Sequence, residues 1–163
     1  MSMVIDGTNG LTFNNATTQN SGGKVIQVVN ATYSTAVSST TNVYVDTGLT
    51  ASITPLFSTS KILVLVNQNG LTKSSGVINA DMKLKVVRNS TDIINVALYS
   101  FYTGTSTDLR GQTLSTSYLD SPATTSATTY KTQFAAAENA GTVSVQNEGA
   151  SSVSTITLME IAA

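Results

Sequence analysis

The chain has 163 residues, a net charge of −1 with only 10% charged residues, and no histidine, cysteine or tryptophan. Those absences remove most of the groups that exchange protons, attack as thiolates or bind soft metals near neutral pH. The near-zero charge excludes the basic footprint that binds nucleic acid or an anionic membrane.

The length fits one domain. A chain of this size buries about 70% of its unfolded surface, enough for a core without disulfides. Weak self-repulsion favours an oligomer over a solitary monomer. No apolar run reaches the roughly 20 residues that span a bilayer, so membrane insertion is not expected. The start, Met1-Ser2-Met3-Val4-Ile5-Asp6, lacks the basic-then-apolar layout of a signal peptide. Folding in the cytoplasm of the producing cell is the expectation.

Residues 1–23 differ from the rest. Met3, Val4 and Ile5, then Leu11 and Phe13, form two short apolar patches around the turn signal Asp6-Gly7-Thr8-Asn9-Gly10. Asn14 to Gly23 reads as a turn followed by a flexible link. So few apolar side chains make no core of their own. The segment is expected to be a short extended arm in which Val4, Ile5, Leu11 and Phe13 meet symmetry mates or a neighbouring protein.

From Lys24 to Ala163, strand signals recur with turn residues between them. Val25–Tyr33 is the first strand and Val43–Val45 the second. Asp46 before Thr47-Gly48 reads as a turn. Leu49, Ala51 and Ile53 alternate with Thr50, Ser52 and Thr54, giving one apolar and one polar face. Lys61 to Asn67 is apolar on both faces, as in a central strand or one also covered by a neighbouring subunit. Asn67-Gln68-Asn69-Gly70 then reads as a hairpin turn or a contact loop.

Met82, Leu84 and Val86 alternate with lysines. Ile94, Val96 and Leu98 alternate with Asn95, Ala97 and Tyr99. Further strands are expected around Leu114–Leu119, Tyr130–Phe134, Val143–Val145 and Val153–Ile161. Asp120 to Ala123 reads as a turn around Pro122. The only helix candidate, Phe134 to Glu138, is too short to stand alone. About nine or ten strands at roughly 10–15-residue spacing predict an all-β sandwich or barrel.

Several stretches carry a resemblance. They are Gly10-Leu11-Thr12-Phe13 with Thr17-Thr18-Gln19, Val25-Ile26-Gln27-Val28-Val29 with Ala31-Thr32-Tyr33, and Tyr44 to Pro55 followed by Ser60-Lys61-Ile62-Leu63-Val64. Leu119-Asp120-Ser121-Pro122, Thr128-Thr129-Tyr130-Lys131 and Ser154 to Ile161 complete the set. In this order they resemble a β domain of tailed-bacteriophage virion proteins. The resemblance implies a jelly-roll-like antiparallel β-sandwich over 24–163 behind the arm at 1–23. It also implies a homotrimer on a fibre, spike or fibre tip, joined to another virion protein through the arm. Such a protein is made in the host bacterial cytoplasm and resides on the virion.

No motif carries catalysis. The nine carboxylates allow a glycosidase-like pair in principle. That chemistry needs one raised and one ionised carboxylate. Most of these acids instead sit beside turn signals, where Asp satisfies backbone N–H groups. There is no phosphate-binding glycine loop, no metal-ligand spacing and no serine–histidine pairing, so no enzyme activity and no cofactor are expected.

The longest polar connections are 67–80, 103–113 and 120–129, and loops carry contacts on a rigid scaffold. Within 103–113 and its flank, Tyr102, Thr105, Asp108 and Arg110 combine an aromatic face with hydrogen-bonding groups suited to a sugar. They are the candidate contact to a host-surface glycan. Tyr99 and Phe101, at alternate positions, more readily pack on a second sheet or a subunit interface. The alternative to a virion protein is a non-viral carbohydrate-binding β-sandwich module, which stoichiometry separates from a trimeric fibre.

Overall fold

The computed structural model describes residues 4–6, 10–12, 18–19, 25–74, 81–100, 109–137, 141–149 and 152–162. Three short strands come first: β1 (Val4–Asp6), β2 (Gly10–Thr12) and β3 (Thr18–Gln19). They pair antiparallel in that order, with Val4 opposite Thr12 and Ile5 opposite Leu11. Within the segment expected as an extended arm, the three described strands therefore pair with one another. Phe13 lies outside the described residues.

The strands that follow are β4 (Val25–Tyr33), β5 (Val37–Ser39), β6 (Val45–Ile53), β7 (Lys61–Lys73) and β8 (Met82–Arg88). Then come β9 (Thr91–Ser100), β10 (Leu109–Asp120), β11 (Thr128–Ala136), β12 (Val143–Val145) and β13 (Ser154–Ile161). They form two antiparallel sheets. The first has the order β4-β13-β7-β10, with short β5 and β12 extending it beside the far end of β7. The second has the order β6-β11-β8-β9. Numbering the long strands along the chain gives 1-8-3-6 and 2-7-4-5. That is the strand order of a jelly roll, two four-stranded sheets face to face.

The apolar alternation of each strand is what joins the sheets. Ile62, Val64 and Val66 of β7, with Ile156 and Leu158 of β13, meet Leu49, Ala51, Ile53, Val86 and Tyr130 of the second sheet. A second cluster sets Leu71, Val143 and Val145 against Met82, Leu84, Phe134 and Ala136. Between the two lies a buried polar chain. Thr47 and Thr132 share a hydroxyl hydrogen bond, the Thr132 hydroxyl donates to Gln68 Oε1, and Gln68 Nε2 donates to Ser154 Oγ. Gln146 Nε2 and the Asn69 backbone N–H also donate to that serine oxygen. Buried polar groups are tolerated when they satisfy one another in this way.

Several expectations are corrected. Asn67 to Gly70 is not a hairpin turn: β7 runs on to Lys73. Gly70 has a φ of 61°, and the register with β10 shifts beside it, so the glycine serves a bulge rather than a turn. Asp46-Thr47-Gly48 lies inside β6, which merges two expected strands. Gly48 has a φ of 89°, and the Tyr33 ring occupies the space a Cβ would need. The helix candidate is strand: Phe134 to Ala136 pair with Leu84 to Met82, and the alanines are wholly buried. Tertiary pairing overrides their helical propensity. In β9, register shifts break the alternation, so Ile94 and Val96 pack on the core while Leu98 is 51% exposed.

Candidate contact site

The outer face of the first sheet holds two surface depressions. At the end where β5, β12, β7 and β10 lie side by side, Ser38, Ser144 and Thr72 form one row, because the registers pair Ser144 with both neighbours. Their neighbours Val37, Val143 and Val145 point the other way, into the core. Ser38 and Ser144 share a hydroxyl hydrogen bond of 2.8 Å, and Asn147 Nδ2 donates to Thr72 Oγ1 at 3.2 Å. Lys73, Ser74, Arg110 and Thr142 complete a polar pocket of about 420 Å³. Lys73 is buried and Arg110 is exposed. Hydroxyls, an amide and the exposed guanidinium of Arg110 suit a polyol or an anionic group held by hydrogen bonds, whereas Lys73 pairs with the core residue Val143.

Further along the same face, Leu65 and Asn67 lie between the small side chains Ser115 and Ser117 on one side and Thr155 and Thr157 on the other. The result is an open groove of about 570 Å³. The groove is shallow because the residues flanking β7 are short.

Of the expected glycan contacts, Arg110 is described, and Tyr102, Thr105 and Asp108 lie outside the described residues. Arg110 is not in a loop. It stands in β10, which pairs with β7 from Asp120 back to Leu109 opposite Lys73. The loop expected over 103–113 is shorter by that much, and Arg110 joins Lys73 and the hydroxyl row instead. The row itself was missed in the sequence because β5, which holds Ser38, is only three residues long and because Ser38, Ser144 and Thr72 meet only through the pairing of β5, β12 and β7. Tyr99, in β9 of the second sheet, is 65% exposed and so is not buried against the facing first sheet, and Phe101 lies outside the described residues. Val4, Ile5 and Leu11 lie in β1 and β2.

Four carboxylates of the sandwich are held by hydrogen-bond donors. Asp120 accepts two bonds from Arg88 Nη1, at 2.9 and 2.8 Å, and one from the buried Tyr130 hydroxyl at 2.7 Å. Burial and the adjacent carboxylate push the Tyr130 phenol far above its ordinary range. Asp120 was expected in a turn; it is instead the buried last residue of β10. Glu160 is wholly buried and accepts from Gln27 Nε2 and from the backbone N–H groups of Leu56 and Phe57. Burial pushes its carboxyl up, but those donors outweigh it and hold it below the ordinary value of 4.5. Asp46 accepts from Lys131 and Gln133, and Asp92 from Lys85, on the outer face of the second sheet. None of the four lines either depression.

No family model and no curated protein matches the chain. Among solved structures, one described as "Structure of infectious bursal disease virus Gt strain" is similar with a TM-score of 0.34 and 14% identity. The match covers 90% of this chain and 39% of that one, so this chain spans well under half the length of that neighbour. A likeness that loose says nothing of activity or partner.

Proposed function

We propose that the chain is a non-enzymatic structural protein of a tailed-bacteriophage virion, a jelly-roll head on a fibre, spike or fibre tip. It self-associates, as a homotrimer by the resemblance, and residues 1–23 join it to another virion protein. The observation that carries the reading is the outer face of the first sheet. It has a polar pocket at one end and a groove along its middle, and neither is lined by Asp46, Asp92, Asp120 or Glu160. Such a face suits contacts, and no carboxylate is among the described residues that line its two depressions. Jelly rolls serve viral capsids and lectins alike, so the fold by itself leaves both readings open. Mass spectrometry of purified particles tests the first. The protein is expected as a stoichiometric component, and its absence from particles contradicts a virion role.

The polar pocket favours host-surface glycan attachment as the further role. It favours equally the second reading, a carbohydrate-binding module outside any virus. Binding of purified protein to susceptible cells, with Arg110→Ala and Ser38→Ala as variants, tests the pocket. Loss of binding by folded variants is expected; undiminished binding removes the pocket from the account.

A further inference from the structure

We propose that the outer face of the first sheet is where a second copy of this chain packs. The proposal rests on the self-association proposed above and names the surface responsible. Across β10, β7, β13 and β4, the residues Leu119, Leu63, Met159 and Val28 stand in one row, set by the register of each neighbouring pair. Val28 and Leu119 are 55% and 50% exposed. In the next row Leu65 stands between Ser117 and Thr157. Single exposed apolar side chains are ordinary on a protein surface. An apolar row running through the middle of a sheet face is not, because a solvated antiparallel sheet turns polar residues outward there.

Three observations point to a second copy as the occupant. The first is charge. From Lys61 to Asn69 of β7, and on the strands beside it, the face carries Lys61 alone at its rim and no carboxylate. It offers no field of one sign to select an oppositely charged partner, and nothing on it repels its own copy away from that rim. The second is hydrogen bonding. Asn30 donates to Thr157 at 2.8 Å and Ser115 donates to Asn67 at 3.2 Å. Amides and hydroxyls both give and accept, so a surface built of them is complementary to itself. The third is size. Four strands about 4.8 Å apart, over about nine residues of about 3.4 Å each, make a rectangle on the order of 600 Å². Side-chain relief raises this toward the roughly 800 Å² that each partner contributes to a standard stable interface.

The test is sedimentation equilibrium of the full-length protein across micromolar concentrations. Val28→Lys and Leu119→Lys change exposed side chains, and an unchanged melting temperature confirms that each variant folds. Wild-type protein is expected to associate. Each substitution is expected to raise the dissociation constant at least about tenfold, as loss of a desolvated apolar anchor does. Lys131→Ala, on the outer face of the second sheet, is expected to keep the wild-type mass. Folded face variants that associate as tightly as wild type would overturn the face and leave self-association standing. Loss of association only in Ile5→Asp and Leu11→Asp would move the contact to residues 1–23 and also overturn it. A wild-type monomer at every concentration would overturn both this proposal and the self-association on which it rests.

Discussion

The two outer faces of this sandwich are made by the same device, strands alternating in and out, yet they differ in kind. The second sheet turns Asp46, Lys131, Lys83, Lys85 and Asp92 outward. Lys131 pairs with Asp46 and Lys85 with Asp92, each at 2.8 Å, and the Lys85 ammonium lies 4.1 Å from the Tyr44 ring centre. That is a solvated face of mixed sign. The first sheet turns Leu63, Leu65, Met159, Val28 and Leu119 outward among serines, threonines and asparagines. Core demands are alike on the two sheets, so they do not explain the difference. What each face meets outside does: water on one side and, in the proposal above, protein on the other.

The comparison assumes that both faces stand on one shared core, and the largest effect tests that. Val64 is wholly buried between the sheets. Val64→Asp is expected to prevent folding, since it buries an unpaired charge. Circular dichroism and solubility report it; a soluble variant melting at the wild-type temperature would break the assignment of the inner face.

The polar chain between the two apolar clusters comes next. Gln68→Ala leaves the Thr132 hydroxyl without its acceptor and takes one donor from Ser154 Oγ. The expected loss is about 1–3 kcal/mol. For a domain of this size each kcal/mol lowers the melting temperature by about 2–4 °C. An unchanged melting temperature would mean that the two clusters do not depend on that chain.

Glu160 sharpens the comparison through pH. Its carboxyl sits below 4.5 in the folded protein, so the ionised form is favoured there more than in the unfolded chain. The stability it adds is full above 4.5 and is lost as pH falls through its folded-state value. Glu160→Gln is expected to destabilise the protein at neutral pH and to flatten the fall in melting temperature below pH 4.5. Parallel pH curves for the two proteins would contradict it. Smallest of all is Lys131→Ala, which removes an exposed ion pair from the second sheet and is expected to cost less than about 1 kcal/mol. A larger loss would mean that the charged face is structural rather than merely solvated.

Much of the fold is legible in the residues. Val25–Tyr33 is a strand with those bounds, and the two-faced apolar run from Lys61 marks the strand that β13 and β10 flank. Strand order is not legible from spacing, because it depends on which distant strands pair; the jelly roll came from the resemblance. Gly48 and Gly70 misled because positive φ serves a turn and a bulge equally well. The run of alanines after Phe134 favours a helix locally and a strand only once β8 is beside it. The proposed contact face was half visible: Leu63 and Leu65 read as apolar on the outward side. Its extent was hidden because Val28, Leu63, Leu119 and Met159 come together only through three registers spanning nearly the whole chain.

Because the chain has no cysteine, one introduced on each face reports that face alone. Ser117→Cys places a thiol on the outer face of the first sheet, and Ser52→Cys places one on the second. The most direct measurement is the rate of maleimide labelling of each variant in the full-length protein as concentration rises. The account predicts that the thiol at position 117 becomes protected with increasing concentration while the thiol at position 52 labels at a constant, rapid rate. Equal labelling of the two at every concentration would contradict it.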